Sequence, residues 1–350
     1  MWWGIEVPGA LIISLDFELH WGVRHAFPAH GSYRGNLLGE RQVVPRILAM
    51  FREYEVAATW ATVGFLFARS KDELEALSPV LRPQYADASL SSYREPIGNS
   101  EAEDKLHFAP SLIEAIHATP RQEIATHTFS HYFCREPGQN GETFAADLKS
   151  ALAIAAQHGV RIRSIVFPQN QHNPAYDDVV IDAGICCYRG NARSWMYRAS
   201  GAAGETPRKR AARLLDAYVN ISGPQTYPWE DLVNGCGSLC NLPASFHLRP
   251  FSPRFRHLQE LHYKRLAGSI RRAAGEGEVI HIWWHPHAFG IHQQQNLDFL
   301  RRLLEEWALQ RETHGMQSMS MAEAATLVLR ECNRRRTGRS HAISAPFSSY

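Results

Sequence analysis

The feature that most constrains this sequence is a repeated alternation of short, β-rich apolar runs with longer helical patterns. Five such runs are predicted strands, namely 10–15, 57–63, 162–167, 185–188 and 279–284. The segments between them show the apolar spacing of one helix face, most clearly at 40–54, 144–155, 176–183, 253–274 and 296–307. This order predicts an α/β protein with a parallel sheet and crossover helices. Such a sheet is either a closed barrel or an open doubly wound sheet, and in both cases ligands gather at the carboxyl ends of the strands.

Two segments interrupt the alternation. Residues 70–110 are rich in Pro, Ser, Asp and Glu, and residues 198–250 carry many Gly, Pro and Asn. Both are predicted to be long insertions over the C-terminal face of the sheet, where loops commonly carry function. The segment 333–350 is rich in Arg and Ser and is predicted to be a flexible tail. We therefore expect a single domain over residues 1–332.

Composition and charge narrow the possible partners. Hydrophobic residues make up 45% of the chain, and its formal net charge at pH 7 is +2. A near-neutral chain without a large basic patch gives no support for nucleic acid as a partner. The N-terminal apolar run ends in acidic residues rather than in a cleavage site, and no run approaches the ~20 residues of a membrane span. We expect a cytoplasmic protein without a transmembrane segment, and the sequence leaves the oligomeric state open.

Acidic residues follow the first predicted strand. In the run 14–18 (SLDFE), Asp16 and Glu18 are two residues apart, so on an extended chain their side chains share one face. Two carboxylates this close repel each other, and such a pair usually indicates a bound cation or a shared proton. A pair of solvated acids at a strand end is the alternative.

Histidines follow two later strands. His127 and His131 are four residues apart, one helical turn, and this spacing suits a metal bound through imidazole nitrogens. His285 and His287 follow the strongly apolar strand at 279–284. Each pattern alone is equally typical of structural or solvated histidines. Together with the acids they predict one site if the strand ends converge on a common mouth, as in a barrel or a deep cleft.

These segments together resemble the polysaccharide deacetylase (NodB-like, carbohydrate esterase 4-type) family. The resemblance covers roughly residues 11–330 and rests on the runs 14–22 (SLDFELHWG), 127–131 (HTFSH), 166–171 (VFPQNQ) and 285–287 (HPH). Within the family, the chain resembles a cytoplasmic branch that is associated with surface-polysaccharide synthesis. The resemblance implies a distorted (β/α)7-type barrel with long insertions over its C-terminal face.

The resemblance also implies roles for the conspicuous residues. An acidic metal ligand with two histidines corresponds here to Glu18, His127 and His131, the catalytic base to Asp16, and the late histidine acid to His285. Many members carry two adjacent acids where this chain has one residue between them, so Asp16 and Glu18 could exchange roles. The implied metal is zinc, with cobalt, nickel or manganese as alternatives.

The chain departs from the family in its middle motif. That motif usually supplies an Arg that orients the base, whereas here the strand end reads FPQNQ at 167–171. Arg189, at the end of the next strand, is the predicted substitute. The predicted substrate-binding residues are Trp21, Pro168, Asn170, Trp195 and His287, of which His287 is also the fallback acid.

The function implied is a metal-dependent N-deacylase that acts on an N-acyl amino sugar, nucleotide-linked or lipid-linked, in surface-polysaccharide synthesis. The same constellation could remove a formyl group or open a cyclic amide. A non-catalytic carbohydrate-binding barrel that kept the metal is a rival from another class, because the usual middle Arg is missing. A metal-free retaining glycosidase is a further rival, and it would need two acids about 5 Å apart across a sugar-shaped cleft.

Overall fold

The computed structural model describes residues 7–197 and 206–343. Its strands lie mainly in one sheet. They are β1 (Ala10–Phe17), β2 (Ala58–Thr62), β3 (Gln122–Thr126), β4 (Ser164–Ile165), β5 (Cys187–Gly190), β6 (Tyr227–Pro228), β7 (Cys240–Pro243), β8 (Phe246–His247), β9 (Glu278–Trp284) and β10 (Gln317–Met319). All five predicted strands overlap members of this set.

Helices connect and cover the strands. They are α1 (His20–Val23), α2 (Arg34–Glu53), α3 (Lys71–Leu77), α4 (Pro110–His117), α5 (Gly141–Gln157), α6 (Asp177–Asp182), α7 (Pro207–Asp216), α8 (Trp229–Asn234), α9 (Gln259–Gly275), α10 (Gln293–His314) and α11 (Met321–Ile343). No helix among the described residues is both long and apolar enough to cross a membrane.

The sheet has the order β6-β9-β1-β2-β3-β4-β5-β7, with β10 paired to β1 and β8 paired to β9. Its described pairings are parallel except for β6 with β9, which is antiparallel. Strand β1 is buried along its whole length. A parallel strand covered on both faces needs a largely continuous apolar run, which explains why the sequence predicts a strand at 10–15.

The sheet curls until its two ends meet. Strand β7 follows β5 at one end of the sheet, and the chain then crosses at once to β8 beside β9. The two residues between β7 and β8 contact both ends of the sheet. Ala244 N donates to Gly190 O of β5 (2.8 Å), and Ser245 N donates to His281 O of β9 (2.7 Å). The fold is therefore a distorted (β/α) barrel, as predicted, and the open doubly wound alternative is wrong.

Two predicted segments have more regular structure than the sequence indicated. Residues 206–250 contain β6, β7 and β8, so this part of the supposed insertion contributes strands to the barrel, whereas residues 198–205 lie outside the described residues. Helix α11 runs past the expected boundary at 332 and ends at Ile343, and the rest of the predicted tail, 344–350, lies outside the described residues. Residues 78–109 are irregular apart from single turns, and they pack against the loop after β1 through Arg24, which donates to Ser89 O at 2.6 Å.

Candidate active site

Two buried carboxylates occupy the carboxyl end of β1. Asp16 and Glu18 are each only 3% exposed, and their side chains point to the same face of the extended chain, as predicted. The chain then turns sharply at Leu19, whose φ is 46°. Gly22 in the short helix α1 packs directly on Glu18, and a Cβ there would overlap the carboxylate. The sharp turn at Leu19 and the close contact with Gly22 therefore restrict the position of the Glu18 side chain.

The two histidines after β3 reach Glu18. His127 Nε2 and His131 Nε2 each lie 3.3 Å from Glu18 Oε2. They meet through a tight bend rather than the predicted helical turn, since Thr128 and His131 have φ values of 62° and 55°. The four-residue spacing therefore does bring both imidazoles to Glu18 Oε2, although the backbone between them is not helical.

A buried carboxylate holds this bend. Asp147 on α5 accepts hydrogen bonds from Phe129 N (2.7 Å), from Ser130 N (3.2 Å) and from the Ser130 hydroxyl. Burial raises the pKa of Asp147 to about 6, although these three donors oppose the rise. Sequence analysis missed Asp147, which lies in the middle of a helix with no motif around it.

The donor set of Glu18, His127 and His131 fits a divalent metal. His127 Nδ1 donates to Val166 O at 2.7 Å, so in the neutral ring Nε2 carries the free lone pair that faces Glu18. Burial lowers the pKa of His131 to about 4, which keeps this ring neutral at physiological pH. Burial alone would raise the pKa of Glu18, but the surrounding histidines, His285 first among them, hold it well below its ordinary value. One carboxylate and two imidazoles form a typical zinc ligand set.

Asp16 forms a two-pronged pair with Arg189. Arg189 Nη1 and Nη2 donate to the two carboxylate oxygens, each at 2.7 Å. Nη1 also donates to Ser14 Oγ (3.1 Å) and Nη2 to Asn170 Oδ1 (3.0 Å), while the guanidinium stacks on Trp283 at 4.1 Å. Burial alone would raise the pKa of Asp16, but the charge and hydrogen bonds of Arg189, together with His127 and His285, lower it. Arg189 therefore occupies the place that the sequence proposed for the substitute arginine.

His285 follows β9 and faces both acids. Its Nε2 lies 3.7 Å from Asp16 Oδ2 and 3.6 Å from Glu18 Oε1, and its side chain is 28% exposed. Burial lowers the pKa of His285, although Glu18 and Asp16 act in the opposite direction. Of the histidines around Glu18 it is the most accessible to a substrate.

Three predicted substrate-binding residues have other positions. His287 is buried behind Glu18, where its Nε2 lies 3.2 Å from Glu18 Oε1 and its Nδ1 lies 2.8 Å from Tyr33 Oη. Trp21 is 1% exposed in the core, and its Nε1 donates to His107 O. Trp195 is 54% exposed, at the edge of the segment that the structure leaves undescribed. His287 shapes Glu18 and Trp21 packs the core.

A cavity of about 540 Å³ opens beside His285. Asn170 and Trp283 line it near the Asp16–Arg189 pair, and Pro168 is buried at the start of the short turn that carries Asn170. His247 also lines the cavity, and the centroid of its ring lies 6.0 Å from that of His285. The remaining lining includes Arg213, Arg249 and His262. Sequence analysis missed His247 and Arg249, because β8 is two residues long and has no apolar run that would predict a strand.

Comparisons with known proteins agree with this fold. Residues 35–187 match the polysaccharide deacetylase family. Among solved structures, the chain is similar to a polysaccharide deacetylase of Mycobacterium smegmatis (16% identity, 95% of this chain and 93% of the other covered, TM-score 0.60). It is also similar to PuuE allantoinase (13%, 93% and 91%, 0.54) and to a polysaccharide deacetylase of Pseudomonas aeruginosa PAO1 (12%, 93% and 91%, 0.53). No curated protein matches the sequence.

Proposed function

We propose that the chain is a metal-dependent N-deacylase of the polysaccharide deacetylase type, a hydrolase of the amide bonds of acetylated sugars, and that its amino-sugar substrate carries a phosphate. The observation that carries the proposal is the convergence of Glu18, His127 and His131 within 3.3 Å, next to a second carboxylate. We propose zinc as the metal, since the donors are one carboxylate and two imidazoles. When bound, such an ion supplies an acidified water and polarises the amide carbonyl.

The proton transfers fall to Asp16 and His285. Asp16 is ionised because Arg189 holds its pKa low, and it accepts the proton of the attacking water. The same guanidinium fixes the direction of the carboxylate through two hydrogen bonds. His285 lies 3.6–3.7 Å from both acids and is partly exposed, and it donates a proton to the departing amine, which is otherwise a poor leaving group.

The cavity supports a phosphate-bearing substrate. Arg249 lies two residues after His247 and lines the cavity with it. Its Nη2 donates to Arg213 O at 3.2 Å, and no carboxylate among the described residues lies within ion-pair distance of it. Burial lowers the pKa of Arg249, as expected for a cation whose compensating anion comes from elsewhere. Nucleotide-linked and lipid-linked amino sugars both offer a phosphate next to the sugar, and we propose that class, in cytoplasmic surface-polysaccharide synthesis.

Amine release from three sugars tests the activity: N-acetylglucosamine, its 1-phosphate and its uridine diphosphate ester. We expect turnover that requires a divalent metal, and we expect His127→Ala to lose both turnover and one ion per chain. His158→Ala is the control, because His158 lies at the end of α5 outside the site. Full metal content in His127→Ala would overturn the ligand set. Turnover of N-formyl sugars alone would replace the deacetylase with a deformylase.

Arg249→Gln tests the phosphate. Losing a hydrogen bond to a charged group should lower the preference for the phosphorylated sugars over the neutral one by about 10–100-fold in kcat/KM. Arg271→Gln is the matched control, since Arg271 pairs with Glu306 on the outer surface. An unchanged preference in Arg249→Gln would remove the phosphate from the proposal and leave the deacylase standing.

A further inference from the structure

A second histidine cluster lies outside the site described above. His20 Nδ1 and His107 Nε2 face each other at 2.8 Å. Glu95 Oε1 lies 3.5 Å from the first nitrogen and 3.8 Å from the second. His20 is 1% exposed and His107 2% exposed, so the two rings meet without competition from bulk water. His20 lies in the run 14–22 but has no role in the proposed deacetylase site, and Glu95 and His107 lie outside the motifs that indicated that site.

In both rings, the nitrogen that points away from the other ring (the outward nitrogen) donates a hydrogen bond to an acceptor outside the cluster. His20 Nε2 lies 2.9 Å from Phe27 O, a carbonyl that can only accept. His107 Nδ1 lies 2.7 Å from Asp104 Oδ2, and this carboxylate also accepts from Gly98 N at 3.0 Å. A neutral imidazole carries one proton, and here that proton is on the outward nitrogen of each ring. The two inward nitrogens therefore present lone pairs to each other.

Two lone pairs at this distance repel unless a cation lies between them. The carboxylate of Glu95 on the same side adds a negative charge that a cation would also neutralise. Two imidazoles and a carboxylate are a common zinc ligand set, and imidazole ligands typically donate their other nitrogen to a carboxylate or a backbone carbonyl, as both do here. We propose that His20, His107 and Glu95 form a second site for a divalent transition metal of the zinc class.

The geometry needs only a small adjustment. Tetrahedral bonds of about 2.0–2.1 Å place two nitrogen ligands about 3.3 Å apart, so the histidine pair opens by about half an ångström. Arg24 does not supply the positive charge that would neutralise Glu95. All three nitrogens of Arg24 donate elsewhere: Nε to Ser92 Oγ, and Nη1 and Nη2 to the carbonyls of Ser89 and Leu90. Glu95 has no ion-pair partner other than the two histidines among the described residues.

The second metal would be structural. His20 belongs to α1, two residues after Glu18, whereas Glu95 and His107 belong to the irregular segment 78–109. The ion would clamp this segment onto the turn that carries Glu18. Backbone contacts already join the same two parts, since His20 N donates to Leu106 O at 3.3 Å. The site goes beyond the proposed function and does not depend on it.

Metal content per purified chain is the test, measured after zinc loading and removal of the excess. We expect two ions in the wild type, one in His107→Gln, one in His127→Gln and none in the double variant. His158→Gln is the matched control and should keep both ions. In cobalt-loaded His127→Gln, the remaining ion should give a tetrahedral visible spectrum that is lost when His107→Gln is added.

Glu95→Gln protects the test against misfolding. Glu95 is at the cluster's partly exposed edge, with 21% of its side chain accessible, so the substitution removes one ligand with little effect on packing. We expect it to lower the affinity of the second ion at least tenfold, with an unchanged near-ultraviolet circular dichroism spectrum. One ion in the wild type that is lost in His127→Gln but kept in His107→Gln and Glu95→Gln would overturn the proposal, and a proton shared by the two rings would then explain the cluster.

Discussion

The two histidine clusters begin two residues apart on the same turn, yet different parts of the fold hold them in place. The Glu18 cluster is built at the ends of β1, β3 and β9, whose backbones are fixed by sheet pairing. The His20 cluster joins a one-turn helix to an irregular segment, and few backbone bonds hold its parts together. The difference teaches that a sheet and the turns anchored to it can hold reactive groups in place, whereas a cluster between a loop and a short helix has fewer backbone constraints.

Asp16→Asn should sharpen the contrast most, because it removes the base and leaves both clusters intact. We expect kcat to fall by about 10³-fold, as is typical when a general base is lost. Metal content should stay at the wild-type value, since Asp16 is not a ligand in the proposed set. Asp178→Asn, on the exposed face of α6, is the control and should keep full activity. Loss of an ion in Asp16→Asn would show that Asp16 and Glu18 have exchanged roles.

Arg189→Gln should have the next largest effect, because it leaves Asp16 charged and without its partner. We expect kcat to fall by about 10²-fold through misorientation of the base. Without Arg189, burial raises the pKa of Asp16, so the acid limb of the kcat/KM profile should move to higher pH. Arg189→Lys should restore part of the activity and shift the limb back. An unchanged pH profile in Arg189→Gln would separate Arg189 from the base.

Asp104→Asn tests the second cluster by changing the carboxylate that orients His107, and it leaves the three proposed ligands in place. Removing a carboxylate that orients a ligating histidine typically costs about 10–100-fold in metal affinity. We expect that loss for one of the two ions, with kcat on saturating substrate reduced far less than in Arg189→Gln. Competition with a chromophoric chelator measures both affinities. Equal weakening of the two ions would break the contrast, because it would mean that the clusters act as one unit.

The stability of the fold should depend on pH through a buried histidine outside both clusters, and this dependence has to be known before either cluster is compared at different pH. Burial lowers the pKa of His262 to about 4, so this ring stays neutral in the folded protein while the unfolded chain takes up a proton near pH 6.5. His262 therefore makes the fold lose stability as the pH falls from about 6.5 to about 4. His262→Phe, which keeps a ring against Phe299, should reduce the drop in Tm over this window by about 2–4 °C. An identical drop in both proteins would assign the sensitivity to other groups.

The barrel was readable from sequence because its central strands are buried on both faces. A strand such as β1 must be apolar throughout, and the helices between strands must show a 3.6-residue period. Strands β6 and β8 have two residues each, too few to produce any period. The segment 198–250 was therefore interpreted as an insertion, although its described part includes strands that pair with β9 and β5.

The same distinction separates the site residues that were predicted from those that were missed. Glu18, His127 and Arg189 were predicted because motifs or strand ends mark them. Asp147 and His247 were missed, since the first acts through loop amides and the second lies in a strand of only two residues. Trp21 was misplaced because residue type alone does not distinguish a sugar platform from core packing.

The order of strands along the chain bears on how the protein is made. Strands β1, β2 and β3 are neighbours in the sheet and in sequence, and they bring Glu18, His127 and His131 from the first 131 residues. The other edge of β1 waits for β9, which carries His285 into the site. A ribosome releases the N-terminal part of a chain first. The nascent protein therefore completes its proposed ligand set long before its proposed proton donor emerges, so the residues that would hold an ion precede the residue that would complete the reaction on a sugar.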